Sequence, residues 1–225
     1  DIWRALSLID TAAAIGCQAV KFQLFKVDQL FAPEALQAKP YLNERKQWEL
    51  PTKFLPELSA RAREKGLGFG CTPFYLDAVD ELYPYVDFYK IASYQILWTE
   101  MLRAVARTSK PIVLSTGMAT LAEITDALNL LEAVGCTKVD LLHCVSAYPI
   151  PPEYCNLRTI GYLRALLGQR YRKMLQGIGW SDHSNNLGVI AEAILGQNAE
   201  IVEFHLDAAD GSGVESQIGH CWSPD

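Results

Sequence analysis

The chain has 225 residues, half of them hydrophobic and a fifth charged, with a formal net charge of −6. Those proportions suit one soluble globular domain with a sizeable core. They argue against a nucleic-acid backbone as partner, while leaving room for a local basic pocket that takes an anionic small substrate. No apolar run approaches the ~20 residues of a membrane-spanning helix, and Asp1-Ile-Trp-Arg4 reads as an amphipathic helical start rather than a signal peptide. The six cysteines form no CxxC pair, which sets aside zinc ribbons and thioredoxin-like motifs and predicts reduced thiols in a cytoplasmic protein.

Taken in order, short β-rich apolar runs alternate with longer amphipathic stretches. Leu6, Ile9, Ala13 and Ile15-Gly16 fit a helix closed by its glycine. Strands are expected at residues 19–23, 68–72, 88–93, 112–116, 139–144, 178–181 and 201–204. Residues 31–50, punctuated by Pro33, Pro40 and then Pro51, are expected to form an extended loop over one end of the fold. Leu55, Leu58, Ala62 and Gly66 repeat the helix-then-glycine pattern. Thr120-Leu-Ala-Glu123 is a capping box opening a helix that runs to Gly135. A further helix is expected over 186–196, and beyond Asp207 the chain turns Gly-rich and irregular.

Continuous apolar strands alternating with helices imply a parallel sheet. Seven strands exceed a flavodoxin-like sheet and fall one short of a closed (β/α)8 TIM barrel, which typically needs ~250 residues. The fold expected is therefore a single barrel domain over 1–225 with its first strand missing.

In such a barrel the strand C-termini carry the active site. Those ends supply Lys21 and Gln23, Thr72, Lys90 and Ser93, Ser115 and Thr116, His143 and Ser146, Ser181, Asp182 and His183, and finally His205. A lysine inside an apolar strand is costly unless paired. Lys21 and Lys90 either bridge rim carboxylates or, with Ser93, Ser115 and Ser181 as donors, hold a phosphate or carboxylate. His183 and His205 follow successive strands, so they are either hydrogen-bonded rim residues or two ligands of a metal with open positions.

Seven motifs then occur in the order found in N-acetylneuraminate (sialic acid) synthases, which the chain resembles over nearly its whole length. They are Ala19-Val-Lys-Phe-Gln23, Cys71-Thr-Pro-Phe74, Lys90-Ile-Ala-Ser93, Leu114-Ser-Thr-Gly-Met118, Leu142-His-Cys144 with Tyr148-Pro149, Ser181-Asp-His183 and Glu203-Phe-His205. The resemblance, which extends to legionaminic and pseudaminic acid synthases, implies condensation of phosphoenolpyruvate with an amino-sugar aldehyde. Lys21, Lys90, Ser93, Ser115 and Ser181 would hold phosphoenolpyruvate, with Thr72 close by and Ser146 where some relatives carry Asn. Gln23 and Tyr148 would contact the acceptor sugar, and Glu215 would face the sugar or the metal-bound water. His183 and His205 would bind a divalent metal, Mn2+ first, with Mg2+ or Co2+ as alternatives. A homodimer is expected of the family, with no nucleic-acid or membrane partner.

Two departures bear on activity. Gln95 stands where many relatives have Glu, and an amide cannot titrate. The family's first-strand Glu and Asn-His segment, and its C-terminal antifreeze-like domain, are not in this sequence. The alternatives left open are a Schiff-base aldolase using Lys21 or Lys90 and a non-catalytic sugar- or phosphate-binding protein.

Overall fold

Helix α1 (Ile2–Ala14) starts at Asp1, whose carboxylate accepts from Trp3 N at 3.0 Å, and ends where Gly16 takes φ +85°. That left-handed conformation costs glycine nothing and turns the chain into the first strand. The computed structural model describes residues 1–208, 210, 211, 213 and 215–224. They form two units, Asp1–Lys90 and Ile91–Asp225.

In the first unit, β1 (Ala19–Leu24) runs parallel to β2 (Gly68–Pro73), and β2 to β3 (Phe88–Ile91). Helix α1 packs on α4 (Leu55–Glu64) through buried Ile9 and Ala12 against the Leu55, Leu58 and Ala62 stripe. The pair is clamped by Arg61, whose Nε and Nη2 each donate to Asp10 at 2.8 Å. Between β1 and α4 lie α2 (Val27–Leu30), α3 (Pro33–Ala38) and a 3-10 run, Pro40–Trp48. Residues 31–50 are thus helical rather than an extended loop. Pro33 and Pro40 occupy first-turn positions, where a missing N–H removes no helical bond, so they open helices instead of breaking them. The Glu49 carboxylate then accepts from Val27 N at 2.7 Å and holds this segment down. Helix α5 (Ala78–Leu82) leads into β3.

In the second unit, α6 (Thr99–Arg107) precedes β4 (Ile112–Ser115), α7 (Leu121–Ala133) precedes β5 (Val139–Cys144), and α8 (Arg158–Leu163) precedes β6 (Leu175–Asp182). Helix α9 (Leu187–Ala191) then leads to β7 (Val202–Phe204). Strands β4, β5, β6 and β7 pair in that order, all parallel. The capping box forms as read, with Thr120 N donating to Glu123 at 2.7 Å and Glu123 N to the Thr120 hydroxyl at 3.3 Å. Helices α8 and α9 both finish in a π-helical turn.

Neither unit reverses its strand order, as a doubly wound sheet would at its switch point. The chain is therefore an α/β protein of successive parallel strands of the kind that TIM-type barrels use. Ile112, Leu114, Leu141, Leu142 and Trp180 fill the second unit's core, as Phe69, Tyr75, Leu82 and Tyr89 fill the first. Strand β6 starts three residues earlier than expected, since Gln176 and Gly177 hide its apolar start. No described helix is long and apolar enough to cross a membrane.

Candidate active site

In the first unit, register decides which side chains meet. Pairing sets Lys21 beside Gly70 and Gln23 beside Thr72, and sets Gly70 beside Phe88. Thr72 therefore falls level with Lys90. With side chains alternating every residue, Lys21, Gln23, Thr72 and Lys90 share one face of the three strands. Thr72 and Lys90 are buried (1% and 3% exposed) while Gln23 is exposed. Gly70 is required beside Lys21, because a Cβ there would lie 2.3 Å from the Phe88 ring. On the same strand but the opposite face, burial pushes the Cys71 thiol up to about 12, so it stays protonated and unreactive.

In the second unit, Ser93 and Ser146 meet at Gly117. The Gly117 N–H donates to Ser93 Oγ at 3.0 Å. A Cβ at Gly117 would lie 2.5 Å from Ser146 Oγ, 2.8 Å from Ser93 Oγ and 3.3 Å from Cys144 Sγ. Absence of a side chain thus lets two hydroxyls approach, with Ser93 Oγ held by the Gly117 amide, and a hydroxyl pair of this type suits an anion. The turn carrying Ser93 is held by Gln95, whose Oε1 accepts from Ala92 N at 2.9 Å. Gln95 is buried, and this bond gives its amide a definite structural task. Ser115 is buried at the end of β4, whereas the neighbouring Thr116 hydroxyl donates to Leu142 O at 3.1 Å.

The histidines cluster in the same unit. Rings of His183 and His205 lie 5.3 Å apart, and Tyr148 stacks on His183 at 4.0 Å. His183 Nδ1 donates to Val145 O at 2.9 Å, which leaves Nε2 as its ligand-competent nitrogen. Burial holds its pKa below the ordinary histidine range, the Val145 bond opposing, so the ring is neutral and fit to coordinate. Ser181, level with Glu203 across β6 and β7, donates its hydroxyl to Glu203 at 2.9 Å.

Two strand-end residues do not join this cluster. His143 Nε2 bonds Cys155 O at 2.9 Å and its ring packs on Trp180 at 5.2 Å. Asp182, fully buried, accepts from Trp180 Nε1, Ser184 N and Oγ, Asn185 N and Trp222 Nε1 at 2.6–3.2 Å. Both sit one residue out of phase with the site face, and period-2 alternation sends them to the other side. Asp182 instead fixes the loop that presents His183.

Sequence reading met Gly117 and Glu203 only as motif members without a role, and missed His220. The last lies beyond the final strand in a segment without periodicity. Trp222 returns to pair with Leu206, its N donating to His205 O at 2.7 Å and its O accepting from Asp207 N at 2.9 Å. This brings the His220 ring within 4.8 Å of His205 and 4.9 Å of Tyr148, and Glu215 Oε2 to 3.6 Å from His220 Nε2.

A family model described as the NeuB family matches residues 8–218. An uncharacterized protein of Methanocaldococcus jannaschii is 34% identical over 208 residues, covering 92% of this chain and 58% of its own length. An N,N'-diacetyllegionaminic acid synthase of Campylobacter jejuni is 34% identical over 220 residues, covering 92% of this chain and 63% of its own. The chain thus spans about three fifths of these relatives. The solved N-acetylneuraminic acid synthetase of Leptospira borgpetersenii superposes with a TM-score of 0.87 at 30% identity, over 100% of this chain and 74% of that one.

Proposed function

Since the chain belongs to the NeuB family, we propose that it joins phosphoenolpyruvate to the open-chain aldehyde of N-acetylmannosamine or a related amino sugar, on a (β/α)8 barrel of which its strands are part. The products are a nonulosonic acid and phosphate. The observation that carries this reading is the His183–His205 pair at 5.3 Å with Tyr148 stacked against it. Named synthases of sialic and legionaminic acids among the relatives support it.

The phosphate and carboxylate of phosphoenolpyruvate carry charge that the site must offset. Lys21 and Lys90 supply cations. Thr72, Ser93, Ser115, Ser146 and Ser181 supply hydroxyl donors. Gln23 and Tyr148 face the acceptor sugar and orient its aldehyde, and Glu215 stands where the sugar meets the metal side of the site. C3 of phosphoenolpyruvate bonds to the aldehyde carbon, whose oxygen takes a proton. Water adds to the cation left at C2, and the tetrahedral product loses phosphate by C–O cleavage. The His183 and His205 imidazoles fit a divalent ion such as Mn2+, which would supply Lewis acidity at the aldehyde oxygen. The buried Gln95 amide holds the Ser93 turn and transfers no proton.

The test is phosphate release from phosphoenolpyruvate with N-acetylmannosamine, with Mn2+ or with EDTA. Release that needs both sugar and metal is expected. Silence across a panel of hexosamine aldehydes overturns the reading. His183→Ala is expected to lower kcat on the order of 100-fold with the fold intact.

A further inference from the structure

We propose that His220 and Glu215 complete the divalent-metal site, giving it three imidazoles (His183, His205, His220) and one carboxylate. The proposal deepens the reading above and rests on it for the ion bound by His183 and His205.

Donor geometry is the first support. Ligand atoms of His205, Glu215 and His220 all lie within 4.8 Å of one another, and Glu215 Oε2 is 3.6 Å from His220 Nε2. Two donors about 2.1 Å from one ion, at angles of 90–110°, are about 3.0–3.4 Å apart, so side-chain shifts of roughly 1–2 Å bring these three donors onto one ion. The His220 ring is 6.3 Å from that of His183 and perpendicular within about 12° (interplanar 78°).

Burial of an unsatisfied imidazole is the second. His220 is 2% exposed, and its Nδ1 has no hydrogen-bond partner. Among the described residues its Nε2 has the carboxylate at 3.6 Å and Cys221 Sγ at 3.7 Å, both long contacts. A buried polar nitrogen left this way is costly. Coordination through Nδ1 removes that cost.

The third support is the scaffold. Trp222 is bound through its backbone to His205 and through its indole to Asp182, the residue before His183. His220, two residues earlier, is therefore fixed relative to both strand-end histidines. Imidazole and carboxylate donors together suit Mn2+ and Fe2+ better than a thiolate-seeking ion.

The test is Mn2+ binding to EDTA-stripped, full-length protein without phosphoenolpyruvate or sugar, followed by the free-ion paramagnetic signal. His220→Ala and Glu215→Gln are each expected to weaken Mn2+ at least 10-fold. Pulsed paramagnetic resonance of the Mn2+-loaded native protein is expected to count three coordinated imidazole nitrogens. Two nitrogens in the native protein, or an unchanged Mn2+ affinity in folded His220→Ala, overturns the proposal. Should His220→Ala not fold, the native nitrogen count decides alone. Sugar-dependent phosphate release is scored separately: its loss sinks the synthase reading without touching the metal result, and the reverse also holds.

Discussion

At the scale of single residues, space matters as much as charge. Gly117 is silent in its own chemistry, yet any side chain there collides with two hydroxyls. Gly117→Ala is expected to cost about 1–3 kcal/mol of local repacking, felt as a roughly 10- to 100-fold rise in the phosphoenolpyruvate KM, with His183-dependent metal binding unchanged. An unchanged KM would show that Ser93 and Ser146 do not act together. Asp182 is the counterpart in charge. Its carboxylate satisfies five donors in a fully buried position. Asp182→Ala should destabilise by at least about 3 kcal/mol, a melting-temperature loss on the order of 10 °C in a chain of this size, measured by thermal unfolding. Of these roles the sequence disclosed only that polar residues close each strand. The lysines and His183 were legible because a charged or ionisable residue in an apolar run is conspicuous. Gly117 and Asp182 were not, because their importance lies in what surrounds them.

At the scale of elements, alternation along each strand was readable, and it sorted Lys21, Thr72 and Lys90 onto one face once register was known. Register itself comes from pairing, which no single strand encodes; hence His143 and Asp182 were first grouped with the site. Prolines misled in the same way at residues 31–50, since a proline opens a helix as readily as it ends one. Pairing also creates a strained spot away from the site. Asp140 on β5 faces Gly177 on β6, with Glu200 alongside. Burial, then Glu200, raises the Asp140 pKa above its ordinary 3.8. A raised folded-state pKa means the ionised form is disfavoured by folding. Wild-type stability from this group is therefore fully present below 3.8 and falls as pH rises through the raised value. Asp140→Asn should melt higher than wild type at pH 7, and the gap should close as the pH drops below 4. A gap independent of pH would exclude the electrostatic cause.

For the whole molecule, a net charge of −6 coexists with a strand-end face bearing two lysines, so the acidic balance never excluded an anionic substrate. Family membership was legible from seven ordered motifs, each short and all at strand ends, because chemistry there restricts residue type more than packing does. After β7, His205 and Glu215 were legible through the family's motifs, but His220 and Trp222 were not: the segment has no period, and the residues they meet around His205 are 15 or more residues back. A ligand that binds only the folded state stabilises it by mass action, about 2.7 kcal/mol at 100 times Kd. Mn2+ is accordingly expected to raise the melting temperature and EDTA to reverse the gain. No shift at millimolar Mn2+ would count against the metal site.

The return of Trp222 to Leu206 ties dynamics to chemistry. The amides of Asp207 and Trp222 are bonded across this bridge, and the indole of Trp222 reaches Asp182. Opening of the segment that carries Trp222 must therefore break the tie beside His183 and carry His220 away in one event. Hydrogen exchange at Asp207 and Trp222 should consequently proceed through a shared opening, and an ion held by the histidines would act as a latch on this segment.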